Sequence, residues 1–527
     1  MTSDLPESCL HSPTQSLIDL FETAQEGLSK DFPAVVAQHF SSVFKSAEAF
    51  AKIPALSTVA PPESFQDGSI VRFRAMVQDT SLSPEMYLCK FKSGKCGGWG
   101  IRDASGETDD ASDIAHTDLR ECSIFWAVSV PGECKWYADL HDRSGATEAL
   151  RRSPSSVPQG LRLTNPHKYP IPGEPHIGAQ LKIYDMPSDN VLQAGMVADF
   201  VGILHSEPWR REDEATDAEQ TMAPTLHVLF FRRHDHSFTL HTTNIPFAEL
   251  RNELITWIAR EALGGDEDTA EWALLIAIAR MQSYTSVLHP PTLTISHFPS
   301  PKNAALAPTL LHILSLLFPL VTHIPLSLDL FNKVPFVPQS KAEDLYSGIL
   351  QVPSGSTILI SEGGIREGKL VEQGVLNVMA VQDVMSSQSL PYKFPFSDFH
   401  FPVDFSFVIL AEGSKSVFLK TDITIPLKAS ASTDLYKPES QITIPPPEKL
   451  DMFRYLVSSA KTGKIKFIED EFIEERRLDK NTSPDDLKRS IMMARLSGLM
   501  LHEPDLSIDI WKRAKDLDKR RLARLHL

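Results

Sequence analysis

Hydrophobic residues near the start of the chain recur at intervals of three and four. Over residues 16–50 this spacing predicts two amphipathic helices that are separated at Pro33. The interval then changes to two. In GSIVRFRAMVQDT, residues 68–80, apolar residues alternate with Arg72 and Arg74, which predicts a half-buried strand with MYLCKF as its partner. CSIFWAVSV and CKWYADL are predicted as two further strands.

Proline, serine and glycine dominate the next stretch. Residues 142–178 are predicted to be a linker on this composition. A second group of predicted strands follows in AQLKIYDM, MVADFVGILHSEP and TLHVLFFRRHDH, with the acidic WRREDEATDAEQ as a loop between the last two.

After Pro246 the pattern becomes helical in FAELRNELITWIAREAL and TAEWALLIAIARMQSY. Short apolar strands such as TLTISHF, THIPLSL, STILIS and FSFVILAEG then alternate with helices, which indicates an α/β domain. The last stretch, 448–527, is predicted to be helical, and Ser483 to Asp486 have the pattern of an N-cap and first turn.

Composition narrows the class of protein. A chain of 527 residues is expected to form two to four domains, and its net charge of -16 argues against broad binding to a phosphate backbone. Five scattered cysteines indicate a reducing compartment, either nuclear or cytosolic. We find no signal-peptide pattern at the N-terminus, and apolar windows such as LLHILSLLFPLV are too short to predict a membrane span.

A nucleotide site is the first chemistry to consider. STILIS is an apolar strand that ends at Ser361 and Glu362, where an ATPase would place acids that hold magnesium and polarise water. The loop after TLTISHF contains Lys302, but prolines replace the glycines of a P-loop and no hydroxyl residue follows the lysine. The sequence favours a Glu362 that is solvated at the end of a core strand, with no catalytic residue and no cofactor.

The sequence evidence for a metal site or a catalytic nucleophile is weaker still. Cys89, Cys96, Cys122 and Cys134 lack a C-x-x-C pair, so buried free thiols are favoured over a zinc site. A surface strand is favoured over a metal site for the three histidines His234, His236 and His241. No G-x-S-x-G pattern indicates a nucleophile.

Basic residues occur at two places that could contact a partner. One group surrounds aromatic residues and could form a strand face that stacks bases; its members are Arg72, Arg74, Lys90, Lys92 and Lys95, around Phe73, Tyr87 and Phe91. Solvent-side charges on a half-buried sheet explain the same pattern, and direct nucleic-acid binding is not favoured. The C-terminal WKRAKDLDKRRLARLHL predicts a basic helix that is either simply exposed or contacts an import receptor or an acidic partner.

Several stretches together resemble the minichromosome maintenance complex-binding proteins. They occur in the family's order along nearly the whole chain: SIVRFRAMVQDTSLSPEMYLCKF with its Gln78-Asp79 pair, VPGECKWY, DFVGILHSEP, ALGGDEDTAEWALLIAI, LYSGILQVPSGSTILISE and IWKRAKDLDKRRLARL. The linker is shorter than expected of animal members, which puts in doubt any partner contact located there.

The resemblance implies a multidomain α/β protein with N-terminal helices, a β-rich OB-like region and a C-terminal degenerate AAA+-like α/β domain with a helical lid. It also implies a nuclear, non-enzymatic partner of the minichromosome maintenance helicase subunits, without a cofactor or a membrane contact. The expected division begins with an N-terminal helical segment, 1–60. An OB-like region follows in two parts, 61–141 and 179–245, on either side of the linker 142–178. The AAA+-like domain is expected over 246–447 and the helical lid over 448–527.

Overall fold

The computed structural model describes most of the chain. The described residues are 5–24, 32–91, 94–102, 118–141, 165–185, 192–209, 222–233, 238, 246–281, 289–303, 306–365, 367–430, 433–462, 484–503 and 505–525. Helices and several sheets together make a mixed α/β protein of more than one domain.

The helices of the described residues are α1 (Leu5–His11), α2 (Pro13–Thr23), α3 (Phe32–Val43), α4 (Ala47–Ala51), α5 (Lys135–His141), α6 (Phe247–Ala262), α7 (Glu267–Ile278), α8 (Thr309–Leu317), α9 (Leu328–Lys333), α10 (Glu372–Ser387), α11 (Pro447–Thr462), α12 (Pro484–Leu501) and α13 (Ile508–Leu525). The strands are β1 (Ser69–Asp79), β2 (Glu85–Leu88), β3 (Leu119–Ser129), β4 (Gly178–Ile183), β5 (Val197–Pro208), β6 (Met222–Arg233), β7 (Leu293–Ser296), β8 (Val321–Pro325), β9 (Gln339–Lys341), β10 (Asp344–Tyr346), β11 (Thr357–Ser361), β12 (Ser389–Lys393), β13 (Asp398–Pro402), β14 (Ser406–Leu410) and β15 (Ile423–Pro426).

Five strands of the first half close into a barrel. The order β1-β5-β6-β4-β3 returns to β1 because β1 also pairs with β3. Only β4 and β6 run parallel; the other neighbours in the barrel are antiparallel. The prediction that MYLCKF pairs with the first strand is wrong, since β2 adds to β3 instead.

Strand β1 is buried on both faces, so the expectation of a half-buried strand is also wrong. Val71, Phe73 and the other residues of the alternating apolar set point into the barrel. On the other face Ile70 joins the core formed with the N-terminal helices, and Met76 packs in a cluster that includes Leu320 of the second half. Alternate residues of β1 do point to opposite faces, as predicted, but elements distant in sequence cover the outer face.

Two further predictions, each about a short segment, are wrong. CKWYADL forms helix α5 rather than a strand. Its apolar residues suit either structure, and long-range bonds fix the position: Cys134 N donates to Pro319 O, and Trp136 Nε1 donates to Ser315 O over 2.9 Å. Pro33 does not separate two helices; it lies in the first turn of α3, where a missing N–H costs nothing.

The second half is built around a five-stranded sheet. Its order is β15-β7-β14-β11-β8 and every neighbouring pair is parallel. Alternate residues of each strand pack in two different hydrophobic cores. Leu359 and Val408 face the core formed with α6 to α8 and the C-terminal helices. Ile358 and Ile409 face the core formed with α10. Burial on both faces explains why these strands are continuously apolar.

A smaller sheet, β10-β9-β12-β13, extends from the second of these cores. The C-terminal helices pack on the other side, where α13 covers the sheet edge: Arg521 donates to the carbonyl of Thr424, and Arg524 donates to that of Pro426. Helix α12 begins at Pro484, and the predicted N-cap Ser483 lies outside the described residues.

Candidate nucleotide site at the carboxyl edge of the parallel sheet

The loop after β7 is held by the chain around it. His297 N and Phe298 N donate to the carbonyls of Gly413 and Ala411, and Tyr436 donates its hydroxyl to the carbonyl of Pro299 over 2.7 Å. The prolines leave few N–H groups to bind phosphate. Lys302 is exposed and makes no ion pair with any residue that the structure describes.

Glu362 is buried, so the expectation that it is solvated is wrong. The loop after β14 folds back over it: Ser416 Oγ donates to the carboxylate over 2.5 Å, and Val417 N donates over 3.1 Å. Burial raises the pKa of the Glu362 carboxyl, and the hydrogen bond from Ser416 only partly opposes this effect. The carboxylate therefore has protein donors where a catalytic acid would hold metal or water.

The two segments that would form a nucleotide site are packed against each other. A Cβ on Gly363 would lie 2.6 Å from Pro301 Cδ, well inside van der Waals contact. Where an ATPase leaves room for phosphates between its P-loop and the acidic end of the neighbouring strand, Pro301 and Gly363 are in direct contact. The geometry gives no support to catalysis here.

The Ser361 side chain forms a hydrogen bond to the neighbouring strand. Its Oγ lies 2.9 Å from Nε2 of His323 on β8. Burial, with a smaller effect of His312, lowers the pKa of His323 to about 4, so this imidazole is neutral near pH 7. A neutral histidine and a serine hydroxyl share one hydrogen bond at this edge.

The cysteine and histidine groups are not favoured as metal sites by the sequence. Among the described residues, no three His, Cys, Asp or Glu side chains are grouped to hold a metal ion. All five cysteines are free thiols; Cys96, Cys122 and Cys134 are buried, as predicted, whereas Cys89 is half-buried. Burial raises the pKa of Cys96 and of Cys134 to about 12. His234, His236 and His241 lie outside the described residues.

Arg72 and Arg74 are neither solvent-side charges nor part of a basic strand face that could stack bases, because both side chains are buried. Arg72 donates to the carbonyl of His141 over 2.7 Å, and Arg74 pairs with Glu133 over 2.6 Å. Phe73 points into the barrel core. Lys90 and Lys95 are exposed, Tyr87 and Phe91 are half-buried, and Lys92 lies outside the described residues. The two arginines therefore hold helix α5 against the barrel and are not displayed to a ligand.

A buried polar cluster that sequence reasoning missed joins the barrel to the second half. Lys168 Nζ lies 2.9 Å from Asp79 Oδ2 and also pairs with Asp344 on β10, and its side chain is fully buried. Nearby, Gln351 donates to the carbonyl of Gln78 over 2.7 Å. Of these residues, the sequence pointed only to the Gln78-Asp79 pair, as part of the family resemblance. Lys168 lies in the stretch predicted to be linker.

The basic C-terminal helix is largely neutralised by the protein itself. Arg524 pairs with Asp266 over 2.7 Å and with Asp268 over 2.6 Å, and Arg520 pairs with Asp268. The helix thus docks on the start of α7. Among the helices that the structure describes, none is long and apolar enough to cross a membrane.

Comparisons with known proteins cover almost the whole chain. The model of the mini-chromosome maintenance replisome factor family matches residues 40–162 and 151–525. The mini-chromosome maintenance complex-binding proteins of Salmo salar and Homo sapiens are each 24% identical over 95% of both chains. That of Arabidopsis thaliana is 23% identical over 93% of both chains. The chain belongs to the mini-chromosome maintenance replisome factor family.

Proposed function

We propose that this chain is a non-catalytic, nuclear binding partner of the minichromosome maintenance replicative helicase and acts in DNA replication. The observation that carries the proposal is the match, over almost the full length, to relatives from fish, human and plant that are named as binding proteins of that complex. A match of that extent includes both the barrel and the parallel sheet.

We further propose that the two halves are an OB-like barrel and a degenerate AAA+-like domain with a helical lid. A closed five-stranded barrel with one parallel pair supports the first assignment. Numbered along the chain, the parallel strands lie in the order 5-1-4-3-2, which is the order of an AAA+ core. The loop with Lys302 then follows strand 1, and Glu362 follows strand 3, as a P-loop and a catalytic acid would.

The proposed role is that of a subunit mimic. A protein shaped like a helicase subunit can shift the balance between free subunits and the closed ring, by as much as its affinities for the two states differ. It would thereby stabilise or assemble subunits, or dismantle the ring and remove it from chromatin, with a consequence for sister-chromatid cohesion.

Two other functions are less well supported. An active AAA+ ATPase would need space for phosphates, and Pro301 lies against Gly363 in that place. A single-strand-binding module would need basic and aromatic side chains displayed on one strand face, and here Arg74 pairs with Glu133 while Phe73 points into the barrel core.

The direct test is to pull the tagged full-length chain from nuclear extract and identify what co-purifies by mass spectrometry. We expect helicase subunits in amounts comparable to the tagged protein, and an untagged extract serves as the control. Recovery of the chain without any helicase subunit would contradict the proposal.

A further inference from the structure

Helix α10 presents a row of apolar side chains to solvent. Val371, Val375, Leu376 and Met379 are each between 43% and 55% exposed. Val371 is the N-cap residue, and Val375, Leu376 and Met379 lie on one face within the first two turns of the helix. We call these four residues the α10 stripe.

The opposite face of α10 is already in the core. Val381, Val384 and Met385 pack beneath the parallel sheet, and Gly374 and Asn377 are buried with them. A helix that is apolar on both sides is typical of one that is covered on both sides. Single exposed apolar residues are ordinary on a protein surface, whereas four adjacent ones mark an interaction surface.

Acidic residues lie on the same face as the stripe. Glu372 and Asp383 are exposed at its two ends, and α10 contains neither lysine nor arginine. Glu372 suits the helix N-terminus, but Asp383 lies towards the C-terminal end, where the helix dipole disfavours an acid. Among the described residues no cation pairs with the Asp383 carboxylate. Asp383 is therefore an exposed acid at the end of the stripe without an ion-pair partner among the described residues.

We propose that the α10 stripe is a docking surface for a helix of a partner protein that carries apolar residues flanked by lysine or arginine. An apolar stripe with acids at both ends is complementary to such a helix in shape and in charge. This inference rests on the function proposed above and names the surface involved: the partner helix belongs to a helicase subunit.

The test uses purified full-length chain and purified helicase subunits in a binding titration. We expect Met379→Asp to weaken binding at least about tenfold, because it places a charge in the apolar contact. Met86→Asp on β2 is the matched control, since Met86 is 60% exposed and Met379 55%. It should bind like the unaltered protein.

The charge at Asp383 gives an independent variant that leaves the apolar contact intact. Asp383→Lys should weaken binding and reduce its dependence on salt, whereas Asp505→Lys, an exposed acid after α12, should change neither. Circular dichroism and the unfolding temperature of each variant show that the fold is kept.

Each outcome decides one question. If the unaltered chain binds no helicase subunit, the proposed function fails. If it binds and the Met379→Asp and Asp383→Lys variants bind equally well, the docking surface is wrong while the function stands. If light scattering shows a dimer of this chain that Met379→Asp abolishes, with unchanged subunit binding, the stripe is an interface between two copies and the proposal is overturned.

Discussion

Pro301 and Gly363 are in direct contact at the carboxyl edge of the parallel sheet, where a Cβ at Gly363 would be 2.6 Å from Pro301 Cδ. The first belongs to the loop after β7 and the second follows β11 and Glu362. In a nucleotide-binding domain phosphates and a metal ion separate these two segments. Here the segments pack on each other, and Glu362 turns into the protein to accept hydrogen bonds from Ser416 and Val417.

This contact predicts that Gly363→Ala destabilises the protein by about 1–3 kcal/mol through overpacking. Gly413→Ala, at the same edge, is the control, because a Cβ there would meet its nearest neighbour at an ordinary 3.5 Å. Adding Pro301→Ala to Gly363→Ala should restore much of the loss. Chemical denaturation of the four proteins measures these free energies, and a Gly363→Ala variant as stable as Gly413→Ala would show that the contact is absent.

Replacing Glu362 by glutamine should have little effect on stability, about 1 kcal/mol or less at pH 7, since the amide oxygen can still accept from Ser416. Burial raises the pKa of Glu362, so its ionised form is less favourable in the folded protein. The unaltered protein should therefore lose stability relative to Glu362→Gln as pH rises through the titration of this carboxyl. Denaturation at pH 4 and pH 8 measures the difference; a large loss on substitution at pH 8 would contradict it.

Lys168 is expected to be among the side chains that matter most for stability. Lys168→Met removes the buried cation that Asp79 and Asp344 share and should cost about 3–5 kcal/mol. Lys333→Met is the control, since Lys333 and its partner Asp329 are both exposed, and it should change stability by less than about 1 kcal/mol. Denaturation curves followed by tryptophan fluorescence measure both, and equal effects would contradict a buried pair.

Asp344 should make the fold sensitive to acid. Burial opposes ionisation of this carboxyl, but the hydrogen bond from His167 and the charge of Lys168 outweigh it and lower the pKa to about 2. The unfolded value is about 3.9, so the contribution to stability is complete above about pH 4 and is lost as pH falls towards 2. Asp344→Asn should therefore lose less stability than the unaltered protein between pH 5 and pH 2. Parallel acid titrations, with Asp329→Asn as control, test this.

Arg74 distinguishes a structural role from nucleic-acid binding. Arg74→Ala removes the ion pair with the half-buried Glu133 and should cost about 3 kcal/mol, whereas Lys90→Ala, at an exposed position, should cost little. Neither change should alter the affinity for a single-stranded oligonucleotide, measured by fluorescence anisotropy at several salt concentrations. A salt-dependent affinity that Arg74→Ala reduces at unchanged stability would favour the nucleic-acid function.

The sequence alone predicted those strands and helices whose apolar residues recur with a regular period. The apolar runs at β7, β11 and β14 and the helical spacing of α6 and α7 were recognisable because burial on one or both faces leaves a period in the sequence. The missing glycines of the loop with Lys302 were equally visible. These features were enough to predict an α/β domain that lacks a working P-loop.

Three of the failures have one physical cause, which is contact between distant segments. Glu362 resembled a solvated strand end because the loop that covers it lies some fifty residues later. Lys168 resembled linker because Asp79 and Asp344, its partners, are far away in the sequence. In CKWYADL the bond from Trp136 to Ser315 fixes a helix where spacing alone suited a strand.

The measurement that tests the account most directly is the binding of the purified chain to individual purified helicase subunits, with and without ATP. The chain and its Lys302→Ala, Glu362→Gln double variant should bind the same subunit with the same affinity whether or not ATP is present, and the chain by itself should hydrolyse no ATP. Failure of the unaltered chain to bind any subunit, or binding that needs ATP and is lost in the double variant, would contradict a non-catalytic subunit mimic.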